Sequence, residues 1–466
     1  MGFDPHLAEI RFGSGLSPAI EPAQSVAHML DLLQGPDKAA ERFPIEPFSE
    51  FRARMMRAQD YMKLRREMRG SPEAKQVKKA LQVEKKVARQ AQKRWLAMQL
   101  MRRSWTEDAL RERLMGFWAD HFTAQGKAGV LKRGGAPYVE ESIRPHLTGS
   151  FADLLIAVTT SPVMLHYLDQ EFSVGPNSEK AERRGSKAGL NENLAREVLE
   201  LHTLGVDGPY DQTDVRQLAE LFTGLTFSAR NGTVFRKDFT EPGAETVMGV
   251  SYGGDKPRLA DVHAALRDLA HHPATARHIA GKLAVHFLSD APDPALVDQL
   301  EARFRETDGD LLQVYTALLE HPSAWQPALQ NVKLPFEFMA SALRALAVPP
   351  EMIGAISDPD QQEKWLTQMF VAPLRVMGQP WESPLGPDGW PEEDSAWMTP
   401  QGLAARISWA LIAPGKLLPE LPDPRSFVTV ALGPDAPDAV QFAAKAAESR
   451  HEGIALILSA PAFQRK

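Results

Sequence analysis

Residues 186–224, SKAGLNENLAREVLELHTLGVDGPYDQTDVRQLAELFTG, restrict this chain more than any other stretch. The short side chain of Asn191 suits a helix N-cap, where it accepts from an orphan backbone N–H. Gly205 tolerates the left-handed φ that stops a helix. Between them lies room for about three and a half helical turns. At about 100° per residue, Leu194, Ala195, Val198, Leu199 and Leu201 share one broad face. Asn193, Arg196, Glu197 and Glu200 share the opposite one. Glu192, Arg196 and Glu200 are spaced four apart, so each neighbouring pair can meet. After a turn, Asp211 or Thr213 caps a second helix that runs to Gly224, with Asp214 in its first turn and Val215, Leu218, Leu221 and Phe222 inward. The short connection makes the pair a helix hairpin.

The polar face of the first helix has two readings. In one it is a solvated, salt-bridged surface, the common fate of such pairs. In the other, Glu197 and Glu200 line a pocket as acid/base or cation-binding groups, with Arg196 and Asn193 orienting a ligand. His202 falls on the apolar face and reads as a core histidine with one nitrogen satisfied.

Helical patterning continues on both sides. From Phe51 to Arg103 there are 17 Lys or Arg against 4 Asp or Glu, with apolar residues at helical spacing. That is a long amphipathic helix pair with a basic face, solvated or used to dock an acidic partner, an anionic glycan or a membrane surface. Residues 106–122 predict a helix capped by Thr106, with Leu110, Leu114, Phe117, Trp118 and Phe122 buried. His121 at its end either bonds a backbone carbonyl at a packing corner or faces the carboxylates of the central helix. Near the N-terminus, Arg11 with Gly13 and Gly15 reads as a plain turn or an anion nest. Residues 35–48 read as a proline-rich linker. The polar stretch 171–189, with Gly175, Pro176 and Gly185, is a lid or a mobile loop. Two helices break at His271-His272-Pro273, with Pro273 in a first turn. His278, Lys282 and His286 give no paired-histidine metal spacing, and Lys282 is a surface lysine or an anion contact in a cleft.

The clearest β signal is TFSAR, Asn231-Gly232, TVFRK, the pattern of a two-residue type I′ hairpin. The expected fold is mainly α, a multi-helix packed bundle with a small β-hairpin insertion near 226–237. The expected organisation is an N-terminal segment 1–48, a basic helical segment 49–115, a central core 116–345 and a C-terminal part 346–466, forming one continuous domain. The C-terminal part carries an aromatic loop at 376–398, in which Trp381, Trp390 and Trp397 sit among four Pro and three Gly. Such a loop packs across a domain or stacks on a ligand such as a sugar ring. Trp390 and Trp118 are the aromatic residues assigned to a substrate.

Composition excludes several chemistries. The chain has no cysteine, which removes disulfides, zinc–thiolate sites, iron–sulfur clusters and thiol nucleophiles. Its net charge of -7 argues against nucleic acid as the main partner. Nothing approaches a membrane-spanning apolar run, and MGFDPHLAEI lacks the basic and apolar regions of a secretory signal. The default expectation is therefore cytoplasmic. No cofactor or metal is assigned.

NENLAREVLELHTLGV followed by YDQTDVRQLAELFTG resembles the signature of a bacterial family known as domain of unknown function 1800. AEIRFGSGL, GFWADHF, SFADLLIAVTTSPVMLHYLD, HHPATARHIAGKLAVHFLSD and ALILSAPAFQRK fit the same family, so the resemblance spans nearly the whole chain. It places His121 in the family's FW-HF pattern. It also implies that relatives are often exported and often accompany a second protein with a sulfatase-like fold. Two positions depart from the pattern. Leu190 stands where the family often has Pro, and Thr240 stands before Glu241-Pro242-Gly243 where it often has His. The second departure weakens any essential role for a histidine in that loop. Two functions follow as expectations. The first is a hydrolase or ligand-binding protein using Glu197, Glu200 and His121, with Arg196, Asn193, Trp118 and Trp390 contacting a substrate of saccharide type. The second is a non-catalytic helical scaffold that binds an acidic protein or polysaccharide through residues 51–103.

Overall fold

The computed structural model describes residues 2–184 and 189–466. Ser186, Lys187 and Ala188 of the central stretch, and Gly185 of the expected lid, lie outside the described residues. The chain is mainly α. Its β structure among the described residues is two antiparallel strand pairs, β1 (Leu225–Ser228) with β2 (Gly232–Phe235) and β3 (Gly243–Val247) with β4 (Val250–Gly254).

The basic stretch forms the expected helix pair, Phe48–Glu67 and Glu73–Trp105, reversing at Gly70 with φ +94°. Phe51, Met55, Ala58, Val77, Leu81 and Ala88 turn inward, and most of the cations between them stay in solvent. Each large apolar side chain removed from water in this way contributes about 1.5–3 kcal/mol. The longer helix runs along the seam between two apolar cores. Leu81 and Trp95 join a first core with Leu114, Trp118, Val198, Leu218, Leu266 and Leu283. Leu96, Leu100 and Met101 join a second with Phe338, Leu343, Phe370, Trp409, Ile454 and Phe463. Pro273 opens the helix Pro273–Phe287 as expected.

Four local expectations change. The linker at 35–48 contains a helical turn, Lys38–Arg42, because the Asp37 side chain accepts from the Ala40 N–H. The helix ending at His121 starts at Ala109 and is capped by Asp108, while the Thr106 hydroxyl accepts from the Asp108 N–H at 3.0 Å. Arg11 is no anion nest: its guanidinium is buried and donates to the carbonyls of Ala324 and Ala328 at 2.7 and 2.8 Å. The hairpin does not turn on Asn231-Gly232. Ser228 pairs with Gly232, and Ala229, Arg230 and Asn231 form the loop. Only Gly232 takes the left-handed φ, +70°, the geometry of a type I turn closed by a glycine bulge. This register buries Ala229 and lets the Thr233 hydroxyl donate to the Thr160 carbonyl at 2.6 Å.

The central helix begins at Asn193, one residue beyond Glu192, yet Asn191 still supplies a cap: its Oδ1 accepts from the Asn193 N–H at 2.9 Å. After Glu197 the helix widens into a π-turn, Val198–Thr203. The Leu204 N–H reaches back five residues to the Leu199 carbonyl at 2.9 Å, and the Thr203 hydroxyl donates to the Val198 carbonyl at 2.6 Å. The extra residue in the turn leaves Leu201 half-buried and drives His202 and Thr203 inward. Gly205 then stops the helix with φ +89°. Asp211 caps the second helix, Gln212–Leu221, in a reciprocal capping box with Asp214.

Candidate functional site

The polar face of the central helix divides in two. Arg196 bridges Glu192 at 3.4 Å and Glu200 at 3.3 Å and donates to Gln212 Oε1 at 2.9 Å. Asn193 is exposed. These groups sit in solvent, where such pairs contribute about 0.3–0.5 kcal/mol each. They follow the salt-bridged reading, and Glu200 and Asn193 do not converge on a recess. Glu197 is different. It has no hydrogen-bond or ion-pair partner among the described residues, and burial, then Glu200 and Asp388, push its pKa up to about 7. Asp388 belongs to the aromatic loop and also bears on Tyr167, Asp120 and Lys282. Its charge is therefore felt on the central helix, at Glu197.

Trp118 is fully enclosed. Its indole N–H donates to the Tyr315 hydroxyl at 2.6 Å, so it presents no surface to a ligand and its assigned substrate role is withdrawn. His121 is also buried, with Nε2 at 3.3 Å from the His202 carbonyl and rings of Phe117, Trp118 and Phe122 around it. It makes no polar contact with Glu197 or Glu200, so the packing-corner reading holds. His278 does the same for the next carbonyl, that of Leu201, at 3.1 Å. Carbonyls left unpaired at a helix end need donors, and two neutral imidazoles supply them. His202 lies among these rings with neither nitrogen partnered, one fewer bond than expected.

Burial, chiefly, lowers all four buried imidazoles: His121 well below its ordinary value, His202 to about 3, His278 and His286 to about 4. A folded pKa below the unfolded one gives stability that is full above the unfolded value and lost as pH falls toward the folded value. Stability is thus expected to fall steeply between about pH 6.5 and pH 4, each histidine adding up to about 1.4 kcal/mol per pH unit. Urea midpoints at pH 7, 5.5 and 4.5 check this. Equal midpoints would show that the imidazoles charge freely in the fold.

One recess lies beside this histidine cluster. It is a cavity of about 190 Å³ whose lining includes Arg103, Asp120, His286, Trp381, Glu382, Trp390 and Glu392. Trp390 is thus the one assigned aromatic residue that reaches a cavity. Asp120, at the end of the helix Ala109–His121, accepts from the Trp390 backbone N–H at 2.9 Å. The approach requires Gly389, whose φ is +81° and where a Cβ would meet the Asp120 carboxyl at 2.7 Å. Burial, with Glu392 and Asp388 nearby, pushes Asp120 up to about 7. Glu392 goes the other way. Burial alone would raise it, but His286 at 2.8 Å, Lys466 and Lys282 hold it down to about 2. Lys282 is half-buried, and the charges of Asp120, Glu392 and Asp388 favour its ammonium against the burial that lowers its pKa. Glu382 completes the wall. It adopts φ +51°, a left-handed conformation that side chains rarely take, and burial pushes it up to about 7 against a bond from Gln92 Nε2 at 3.0 Å.

Sequence reading missed the acids of this cavity. In the sequence the aromatic loop is marked by its tryptophans, and nothing in the pattern marks Glu382 and Glu392 beside them. His286 was weighed only as a metal ligand, and no group of three or more His, Asp or Glu among the described residues is arranged to hold a metal ion.

A family model described as protein of unknown function (DUF1800) matches residues 10–465. The chain belongs to this family. No curated protein and no solved structure matches it. The family match encloses the whole cavity of this DUF1800 protein, from Gln99 to Glu392. No described helix is long and apolar enough to cross a membrane.

Proposed function

We propose that this DUF1800 protein is a hydrolase that acts on a saccharide in the cavity between Asp120, Glu392 and the aromatic loop. One observation carries the reading: two carboxyls of one cavity are driven in opposite directions, Asp120 to about 7 and Glu392 to about 2. A proton donor and a permanent carboxylate side by side are what cleavage of a glycosidic bond requires. Asp120 donates to the departing oxygen. Glu392, oriented by His286, stabilises the positive charge that builds on the ring as the glycosidic C–O bond breaks; a water then bonds to the anomeric carbon and gives its proton back to the Asp120 carboxylate. Trp381 and Trp390 supply apolar walls for a ring-shaped group. Glu197 does not line this cavity and takes no part in the step.

The test is release of reducing ends across a panel of neutral and anionic polysaccharides, with intrinsic tryptophan fluorescence as the binding signal. Trp390→Ala is expected to weaken binding about tenfold, about 1.4 kcal/mol of lost stacking. A panel in which nothing is bound or cleaved by the wild-type protein would reject the reading.

A second reading has its own support. The basic hairpin exposes Met56, Met62, Val83 and Val87 among its lysines and arginines. Apolar and cationic groups together suit docking of an acidic protein or polysaccharide. Charge reversal at Lys63, Lys78 and Lys79, which do not line the cavity, would then abolish docking and leave turnover intact.

A further inference from the structure

The charges around the cavity do not balance. Glu112 and Glu140 are committed to Arg144 at 2.8 and 3.2 Å. Glu337 is held by Arg113 and by Lys466, the latter at 2.6 Å. Glu392 has His286. Asp120 and Glu382 hold protons toward neutral pH because they are buried. Arg103 is the exception. It is 7% exposed and lines the cavity, yet among the described residues its guanidinium has no ion-pair partner and its Nη1 has no hydrogen-bond partner. A buried cation left in that state is costly unless something pairs with it.

The surroundings hold this guanidinium in place, and the one opposite charge among the described residues that bears on it, Glu112, is already paired with Arg144. One neighbour is the Phe336 ring, 5.1 Å from the guanidinium carbon. Another is Gly116, where a Cβ would stand 2.3 Å from Nη2, so any larger residue would displace the group. Besides burial, Arg103 lowers the pKa of Arg113 and of Lys466, two cations that share the single carboxylate of Glu337. The fork of a guanidinium matches the paired oxygens of a carboxylate or a sulfate.

We infer that Arg103 is the anion-recognition group of the cavity, and that the saccharide bound there carries a carboxylate or sulfate group. This inference rests on the cavity being the ligand site and deepens the hydrolase reading by naming its substrate class. Binding is read without turnover, so the two can fail separately.

The experiment titrates the whole protein with glucuronate, sodium sulfate and glucose at constant ionic strength, following tryptophan fluorescence. Saturable binding of glucuronate or sulfate, and a preference over glucose, is expected. Arg103→Gln should weaken the bound anion at least tenfold, and Arg103→Lys, which keeps the charge but loses the fork, should fall between. The carboxylate and sulfate arms separate the two sources of the anionic group. Equal affinity of wild type and Arg103→Gln, or no saturable response to either anion, overturns the inference. Should Arg103→Gln fail to fold, Arg103→Lys with unchanged affinity for both anions also overturns it. Arg103-dependent anion binding with no polysaccharide bound or cleaved would leave the anion site standing and remove the saccharide hydrolase.

Discussion

Asp120→Asn lowers turnover by about a hundredfold to ten-thousandfold, the range lost when a positioned general acid is removed. The pH profile carries the diagnostic. Asp120 must hold its proton and is pushed up to about 7, whereas Glu392 must lose its own and is held at about 2. Wild-type activity is therefore flat across mildly acidic pH and falls above about pH 7 on a single limb. In Glu392→Gln the rate falls by a similar factor, but the limb near 7 shifts, because Glu392 is one of the charges that raise Asp120. Stability separates this from structural damage. A carboxyl whose folded pKa exceeds its unfolded value takes up a proton on folding, so its contribution weakens as pH rises from about 4 to about 7. Asn cannot ionise and escapes that penalty. Asp120→Asn should then be at least as stable as wild type at pH 8 and relatively weaker at pH 5, measured by urea midpoints. An inactive variant that is also destabilised at pH 8 would make Asp120 a structural residue and leave the cavity without its acid.

What the sequence discloses here is what is local. Asn191, Gly205, Asp211 and Pro273 act through backbone groups within one turn of themselves, and each marks a helix boundary in place or nearly so. Even this fails where two local solutions compete. Asn231-Gly232 suits a two-residue turn, yet the register that buries Ala229 prevails. A helical wheel drawn at a constant angle does not include the π-turn at Val198–Thr203, which changes where Leu201 and Thr203 point. The cavity is farther out of reach. Asp120 and Trp390 are 270 residues apart. Charge identity is also invisible in a sequence: Asp120 and Glu392 read alike until burial and His286 separate them. Glu200 and Arg196 drew notice because they are neighbours along one helix, and that proximity is what commits them to each other in solvent.

Arg344→Met is expected to destabilise the fold by about 3–5 kcal/mol, the loss seen when one partner of a buried ion pair is removed. Arg344 is 1% exposed and each of its three guanidinium nitrogens has a partner. Its Nε donates to the Gly15 carbonyl at 2.7 Å and its Nη1 to the Thr106 carbonyl at 2.9 Å, with the Arg103 and Ser104 carbonyls at 3.3 Å. Its Nη2 meets Glu9 at 2.8 Å. One side chain thus ties the first helix, Pro5–Arg11, to the end of the basic hairpin and to the helix Pro335–Ala345 of the second core. Removing it leaves Glu9 buried, and burial already raises the pKa of that carboxyl, with Arg344 the main force opposing it. Glu9 must then protonate to stay inside. A folded pKa raised further makes the variant relatively less unstable as pH falls, so its deficit against wild type should shrink between pH 7 and pH 5. Glu9→Gln in the same chain should restore about 1–3 kcal/mol, a coupling typical of direct contacts. The carbonyl of Arg103 is one of the groups that Arg344 holds, so the same substitution should weaken anion binding in the cavity although Arg344 does not line it. A deficit below about 1 kcal/mol, or one that does not change with pH, would show that water replaces Arg344 without strain and that the two cores do not depend on it.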